Sequence, residues 1–245
     1  MNPIVTDGVS RAYGDELALD RLTIEVAPGE IHAIVGLNGA GKTTLMRILM
    51  GMIRPDSGRA LLHGSDVIEV PGRTWADVGH MIESPFGYPE LTVVENISAA
   101  AKLRGIPSGD VAAAADSVVK RFELGRWADR RARALSMGNR QRLGLACALV
   151  HTPGVIVLDE PSNSLDPAGV VLVRDLMRHE AAEGAAILVS SHHLDELARV
   201  AHRISVLHRG RLIGNIDPDG FDLERRFFEL VHGAETSVGE GVHRA

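Results

Sequence analysis

Residues 36–43 read Gly-Leu-Asn-Gly-Ala-Gly-Lys-Thr, a run whose residue types and spacing suit one task. Its glycines let backbone N–H groups turn inward around a polyphosphate, Lys42 adds a point charge for the β- and γ-phosphates, and the Thr43 hydroxyl is a hard oxygen ligand for magnesium. Gly36, Leu37, Asn38, Gly39, Ala40, Gly41, Lys42, Thr43 and Thr44 are therefore the expected phosphate-binding residues. Only three of the 26 basic side chains are lysines, Lys42, Lys102 and Lys120, and one of them stands where this pattern requires it. From this composition a chance match is expected roughly 0.003 times, so the run points to a bound nucleotide.

Two further groups could act on such a phosphate. Asp159 and Glu160 close the apolar run Val155-Ile-Val-Leu158. Carboxylates just past the end of a buried strand sit where open α/β sheets bind ligands. There Asp159 can hold magnesium through water, and Glu160 can polarise an attacking water as general base. Ser190-Ser-His192 follows a second apolar run, and an imidazole so placed can contact transferring phosphate and orient water near neutral pH.

With these in place, Leu135-Ser-Met-Gly-Asn-Arg-Gln-Arg142 resembles the signature of the ATP-binding-cassette (ABC) ATPases, and the resemblance covers nearly the whole chain. It implies an α/β P-loop NTPase core with a mainly parallel sheet, an N-terminal antiparallel β subdomain and an inserted α-helical subdomain. It implies that Ser136 and Gly138, at a helix N-terminus, present donors to a γ-phosphate held on an opposite protomer. Met137 and Asn139 depart from the commoner LSGGQ form. Ser164-Leu-Asp166 resembles the D-loop at the dimer interface, His192 the γ-phosphate switch, and Tyr13, in Arg11-Ala-Tyr-Gly14, the aromatic that stacks on adenine.

Most members of the family carry glutamine where Glu83 stands, a residue that coordinates magnesium and the attacking water while joining core to helical insert. A carboxylate there changes the local charge by one unit beside the metal. Glu83, followed by Pro85, Tyr88-Pro-Glu-Leu-Thr92 and Glu95-Asn96, resembles the bacitracin-resistance and lantibiotic-immunity branch of exporter ATPases. The resemblance thus implies Glu160, His192, Lys42 and Glu83 as catalytic residues, Thr43, Asp159 and Glu83 at the metal, and ATP with Mg²⁺ as cofactors. It also implies a homodimer that sandwiches two ATP molecules and drives separate integral-membrane permease subunits, exporting an antimicrobial peptide or drug.

The elements that must position these groups can be read from periodicity. Leu22–Val26 and Ile31–Val35 read as strands around a turn, residues 43–51 as a helix ending at glycine, and residues 55–63 as a hairpin about Asp56-Ser-Gly58. From residue 84 alanine-rich helical patterns take over at residues 93–103 and 111–122, after a loop at residues 85–89. Alternation then resumes: helix over 143–150, buried strand at 155–158, helix over 168–183, strand at 186–190, short helix at 194–200 and strand at 204–208. The division expected is a nucleotide core at 1–83 and 150–220, a helical subdomain at 84–149, and a C-terminal amphipathic helix with a frayed tail from residue 236 at 221–245.

Composition sets the outer bounds. A chain of 245 residues, 45% hydrophobic and 24% charged, can bury a sizeable core, which excludes disorder and collagen-like repeats. The lone Cys147 permits no internal disulfide and no all-cysteine zinc site, as expected of a reducing compartment. The longest apolar stretch, residues 143–150, falls far short of the ~20 residues that cross a bilayer, and residues 1–8 lack a secretory pattern. A cytoplasmic chain, peripheral on the inner membrane face through its permease, is the expectation.

The net charge of −6 argues against a nucleic-acid partner, despite the arginines at 121, 126, 130, 131, 133, 140 and 142, among which few aromatics are interleaved. A soluble ABC ATPase acting on nucleic acid or ribosomes is the alternative, but its usual second cassette, coiled-coil insert or zinc module is not seen. A GTPase switch would need an N-K-x-D motif, and Asn163-Ser-Leu-Asp166 lacks the lysine.

Overall fold

A computed structural model describes residues 1–85 and 87–242; Phe86, within the expected 85–89 loop, and residues 243–245 of the expected tail lie outside the described residues. Along the chain the strands are β1 (Ile4–Tyr13), β2 (Glu16–Val26), β3 (Ile31–Val35), β4 (Ser57–Leu62), β5 (Ser65–Asp66), β6 (Val78–Met81), β7 (Val155–Asp159), β8 (Ala186–Ser191), β9 (Arg203–His208) and β10 (Arg211–Ile216). The helices are α1 (Lys42–Leu49), α2 (Gly72–Trp75), α3 (Val93–Leu103), α4 (Val111–Arg121), α5 (Met137–Leu149), α6 (Pro167–Ala182), α7 (Leu194–Ala198) and α8 (Leu223–Val242).

They form a four-stranded antiparallel sheet, β2-β1-β4-β5, and a six-stranded sheet, β10-β9-β3-β8-β7-β6, parallel except for the β9–β10 hairpin. Every residue of β3, β7 and β8 is buried, as expected of largely apolar strands covered on both faces. Alternate strand residues serve two cores. Ile34, Val157 and Leu188 face α1 and the antiparallel sheet, while Val35, Leu158 and Val189 face the other helices. Helices α3, α4 and α5 pack in that second core, the predicted helical insert.

The structure departs from the sequence reading in specific places. Strands do lie at residues 22–26 and 31–35, but the turn between them carries the chain from one sheet to the other. In β2 the burial of Leu22, Ile24 and Val26 alternates with exposure, whereas β3 is covered on both faces, so the two cannot share a one-sided sheet. The hairpin turns at His63-Gly64, with φ of 49° and 78°, and not at residues 56–58. That left-handed pair matches the twist of two strands, and Asp56 is instead fastened to the end of β1, accepting from Arg11 and from the Ala12 N–H, each at 2.7 Å. Strands β1, β6 and β10 were not expected. Bulges break the alternation of β1 and β10, and Gly79 and His80 dilute the apolar signal of β6. The backbone of α8 continues through residues 236–242, where a frayed tail was expected, and the Thr236 hydroxyl donates to the carbonyls of His232 and Gly233 within it.

Three histidines are built into this framework. The His32 ring lies between the Ser205 hydroxyl, at 2.8 Å, and the Glu25 carbonyl, at 3.3 Å, joining the large sheet to β2. His80 lies on β6, and His151 contacts the Val78 carbonyl at 3.3 Å. Burial pushes all three down to about 4, with the Arg203 cation adding to the effect at His32 and that of Arg104 at the other two. A histidine with a depressed folded-state pKa takes up its proton on unfolding, so the stability it contributes is complete above about 6.5 and is lost as pH falls toward 4. Denaturant melts at pH 7 and pH 5 should therefore show a loss of stability on acidification, with uptake of about two to three protons on unfolding at pH 5. Equal stability at both pH values would contradict it.

Candidate active site

The loop between β3 and α1 ends at Gly41, whose φ of 109° and lack of a side-chain cap leave the first N–H groups of α1 to face a ligand. Glycine is required at two points of this loop. A Cβ on Gly36 would stand 2.3 Å from the Leu207 carbonyl oxygen, and one on Gly41 would stand 2.4 Å from that of Ala18. The loop opens into a cleft of about 350 Å³ lined by Tyr13, residues 38–44, Asp159 and Glu160. Residues from three separate parts of the chain thus converge on one space. Tyr13 is 45% exposed, an open ring face beside the loop, with the Arg11 guanidinium 5.0 Å from its centroid.

Within the cleft the polar groups are mutually satisfied. Asp159, 5% exposed at the end of β7, accepts from Thr43 Oγ1 at 2.7 Å and from Ser190 Oγ at 2.5 Å. The buried Lys42 Nζ donates to the Gly36 and Leu37 carbonyls, at 2.7 and 3.4 Å, and lies 3.9 Å from Glu160 Oε1. Glu160 takes a left-handed φ of 51°, and its N–H is held by Ser190. Its Oε2 accepts from the His192 N–H at 3.3 Å and lies 2.9 Å from His192 Nδ1. General base and switch histidine, expected from separate motifs, therefore touch. A hydroxyl beside a carboxylate is the hard-oxygen donor set of a magnesium site completed by phosphate and water, so Thr43 and Asp159 fit that ion. Among the described residues no cluster of three His, Cys, Asp or Glu suits a metal held by protein alone.

Other expected residues lie elsewhere. Gly36, Leu37 and His192 line a neighbouring cavity of about 640 Å³, walled by Phe227 and Phe228 of α8. Ser136, Gly138 and Asp166 line a third, of about 680 Å³. Ser136 caps α5, accepting from the Asn139 N–H at 3.3 Å. Asp166 caps α6 through the Gly169 N–H, at 2.9 Å, and that bond, aided by Arg142, holds its carboxyl below the usual range. Gln141 joins the two regions of the chain, donating to the Pro161 carbonyl at 3.0 Å and to that of Glu160 at 3.4 Å.

Glu83 is not drawn into the phosphate cleft. At a left-handed φ of 63° it turns its carboxylate onto Arg47 of α1, whose guanidinium is stabilised by Glu83 and also faces the Tyr13 hydroxyl. Sequence reasoning missed Arg47, although its spacing of four from Thr43 places it on the phosphate side of α1. It missed the role of Ser190 too, whose hydroxyl at the end of β8 is the second partner of Asp159.

Comparison with known proteins places the arrangement. Residues 19–163 match the ABC transporter family. The chain is 36% identical over 221 residues to the daunorubicin resistance ATP-binding protein DrrA3 of Streptomyces coeruleorubidus, covering 90% of this chain and 70% of that protein. It is 36% identical over 217 residues to the bacitracin transport ATP-binding protein BcrA of Bacillus licheniformis, covering 88% and 70%. It is 31% identical over 220 residues to the lantibiotic transport ATP-binding protein SrtF of Streptococcus pyogenes, covering 89% and 93%. A solved structure of an ATP-binding subunit of an ABC transporter superposes with a TM-score of 0.81 at 28% identity, over 93% of this chain and 94% of that one. Family match, relatives and fold agree, and the chain belongs to the ABC transporter family, as an ATP-hydrolysing transporter subunit.

Proposed function

We propose that two copies of this chain close face to face on two ATP molecules and power export through separate membrane subunits. The observation that carries this reading is the separation of the halves of the site. The phosphate cleft and the signature residues line different cavities of one chain, so a second copy must bring Ser136 and Gly138 to the phosphate.

Each residue then has a defined task. Tyr13 stacks on the adenine, residues 36–44 wrap the phosphates with their N–H groups, and Lys42 leaves its loop carbonyls for the β- and γ-phosphate oxygens. Thr43 and Asp159 would hold Mg²⁺, which when bound would supply positive charge to offset that of the phosphates. Glu160, fixed by Ser190 and His192, accepts a proton from the attacking water, while His192 orients that water and contacts the transferring phosphoryl group. Asp166 holds the interface loop in shape. Glu83 would leave Arg47 as the cassette closes, join Thr43 and Asp159 in holding the metal, and thereby report the nucleotide state.

No helix among the described residues is long and apolar enough to cross a membrane. The site of attachment to a permease at the inner membrane face is a largely apolar cavity of about 610 Å³ whose lining includes Ile82 and Ser84, the neighbours of Glu83. Residues 84–149 act as a helical subdomain that tilts against the core at 1–83 and 150–220, with residues 221–245 packed on that core as its C-terminal helix. Relatives named for bacitracin, lantibiotic and daunorubicin favour an antimicrobial peptide or drug as cargo.

Glu160→Gln should lower turnover by about 10²-fold or more and trap an ATP-bound dimer, visible by size-exclusion chromatography. A monomer with unaltered turnover would defeat the mechanism. Glu83→Gln and Glu83→Ala should each change the ratio of ATP hydrolysed to cargo exported. If both leave hydrolysis and export as they were, Glu83 has no coupling role.

A further inference from the structure

Tyr13 stands in an exposed place for a side chain that is to meet a flat ring squarely. It ends β1, one residue before a turn at Gly14 (φ 59°), and nearly half of it is open to solvent. Two guanidinium groups nonetheless fix it. That of Arg11 lies over the ring, 5.0 Å from its centroid, and that of Arg47 faces its hydroxyl. Arg11 is itself anchored, donating to Asp56 Oδ1 at 2.7 Å and to the Arg54 carbonyl at 3.3 Å. Asp56 is tied to β1 at two further points, giving its N–H to the Ser10 carbonyl at 2.8 Å and accepting from the Ala12 N–H at 2.7 Å. Arg47 is held from another loop by Glu83. Tyr13 lines the phosphate cleft, whereas neither arginine does.

A cation set against an aromatic ring has two effects on that ring. It occupies one face, through the attraction of the ring quadrupole for positive charge, and it removes in advance the side-chain freedom that would otherwise be lost when a ligand binds. Because Arg11 lies outside the cleft, the face it covers is the outer one, and the cleft side of the ring stays bare. Arg47, at the hydroxyl, checks the swing of the same ring from its far end. We propose that Arg11 and Arg47 are positioning residues for nucleotide binding, holding Tyr13 so that a single face meets the purine, with Asp56 as the buttress that sets Arg11. The inference rests on the reading of Tyr13 as the platform for adenine and adds to it the groups that make the platform rigid. Both arginines then serve the base and not the phosphates, a separation that a general attraction of positive charge for nucleotide would not produce.

The test compares ADP with inorganic pyrophosphate, which carries the phosphates without the base, each titrated with magnesium into the full-length chain by calorimetry. Tyr13→Ala should raise the Kd for ADP about tenfold or more and leave that for pyrophosphate as it was. Arg11→Met, which keeps the apolar stem and loses the charge, should raise the Kd for ADP about threefold or more, again with pyrophosphate unchanged. Unchanged pyrophosphate binding also reports an intact phosphate loop in each variant. Asp56→Asn and Arg47→Met should act in the same direction, and Arg11→Lys, which restores a cation, should recover most of the loss. In steady-state turnover Arg11→Met should raise KM for ATP with kcat unchanged, the mark of binding shared by ground state and transition state. Equal weakening of ADP and pyrophosphate, or wild-type affinity for ADP in either arginine variant, would overturn the inference while leaving Tyr13 its role. A Tyr13→Ala chain that binds ADP as the wild type does would overturn the reading of Tyr13 and this inference with it.

Discussion

A carboxylate as sheltered as that of Asp159 must be met by donors, and it takes one from each side: the Thr43 hydroxyl at the start of α1 and the Ser190 hydroxyl at the end of β8. Those two bonds fix the phosphate loop to the C-terminal ends of β7 and β8, and the neighbouring Glu160 inherits its position from the same Ser190. The register follows from it. Asp159 pairs with Ser190 across the parallel ladder, and β3 runs beside β8 with Val35 opposite Ser191, so the loop, the acidic pair and the switch histidine leave the sheet at one level. A slip of one residue between β7 and β8 would turn these groups to opposite faces.

A second feature is that the phosphate loop and the signature residues line separate cavities of the chain. Its signature helix begins in a different cavity from its phosphate loop, yet the two are mechanically joined through Gln141, which holds the loop at Glu160 and Pro161, and through Arg142, which ties α5 to Glu123 and to the cap of α6. The helical segment is thus tied by hydrogen bonds to the backbone beside the Glu160 carboxylate. Glu83 is held on Arg47 of α1 and stands between Ile82 and Ser84, which line an apolar cavity.

Much of this was legible in the sequence, for identifiable reasons. Apolar runs marked β7 and β8, because strands covered on both faces need no alternation, β-branched residues marked β3, and α3 begins and ends at the residues its pattern indicates. The phosphate loop was legible because its chemistry requires particular types at fixed spacing. What stayed hidden depends on contacts between distant residues. Nothing local announces that β1 pairs with β4, that Asp56 serves Arg11 and Ala12, or that a left-handed His63-Gly64 pair makes the turn. The position of Glu83 was hidden for the same reason: its partner Arg47 lies on another element, and only the fold brings them together.

The account stands or falls on whether the two cavities of separate copies close on each other when ATP binds. Leu37, at the mouth of the phosphate loop, and Met137, at the start of the signature helix, are 46% and 62% exposed, while the native Cys147 is buried. Mixing a Leu37→Cys chain with a Met137→Cys chain under mild oxidation measures the closure directly. A disulfide-linked heterodimer that forms with ATP and disappears when the nucleotide is removed is the predicted result; no crosslink, or one indifferent to ATP, would contradict it.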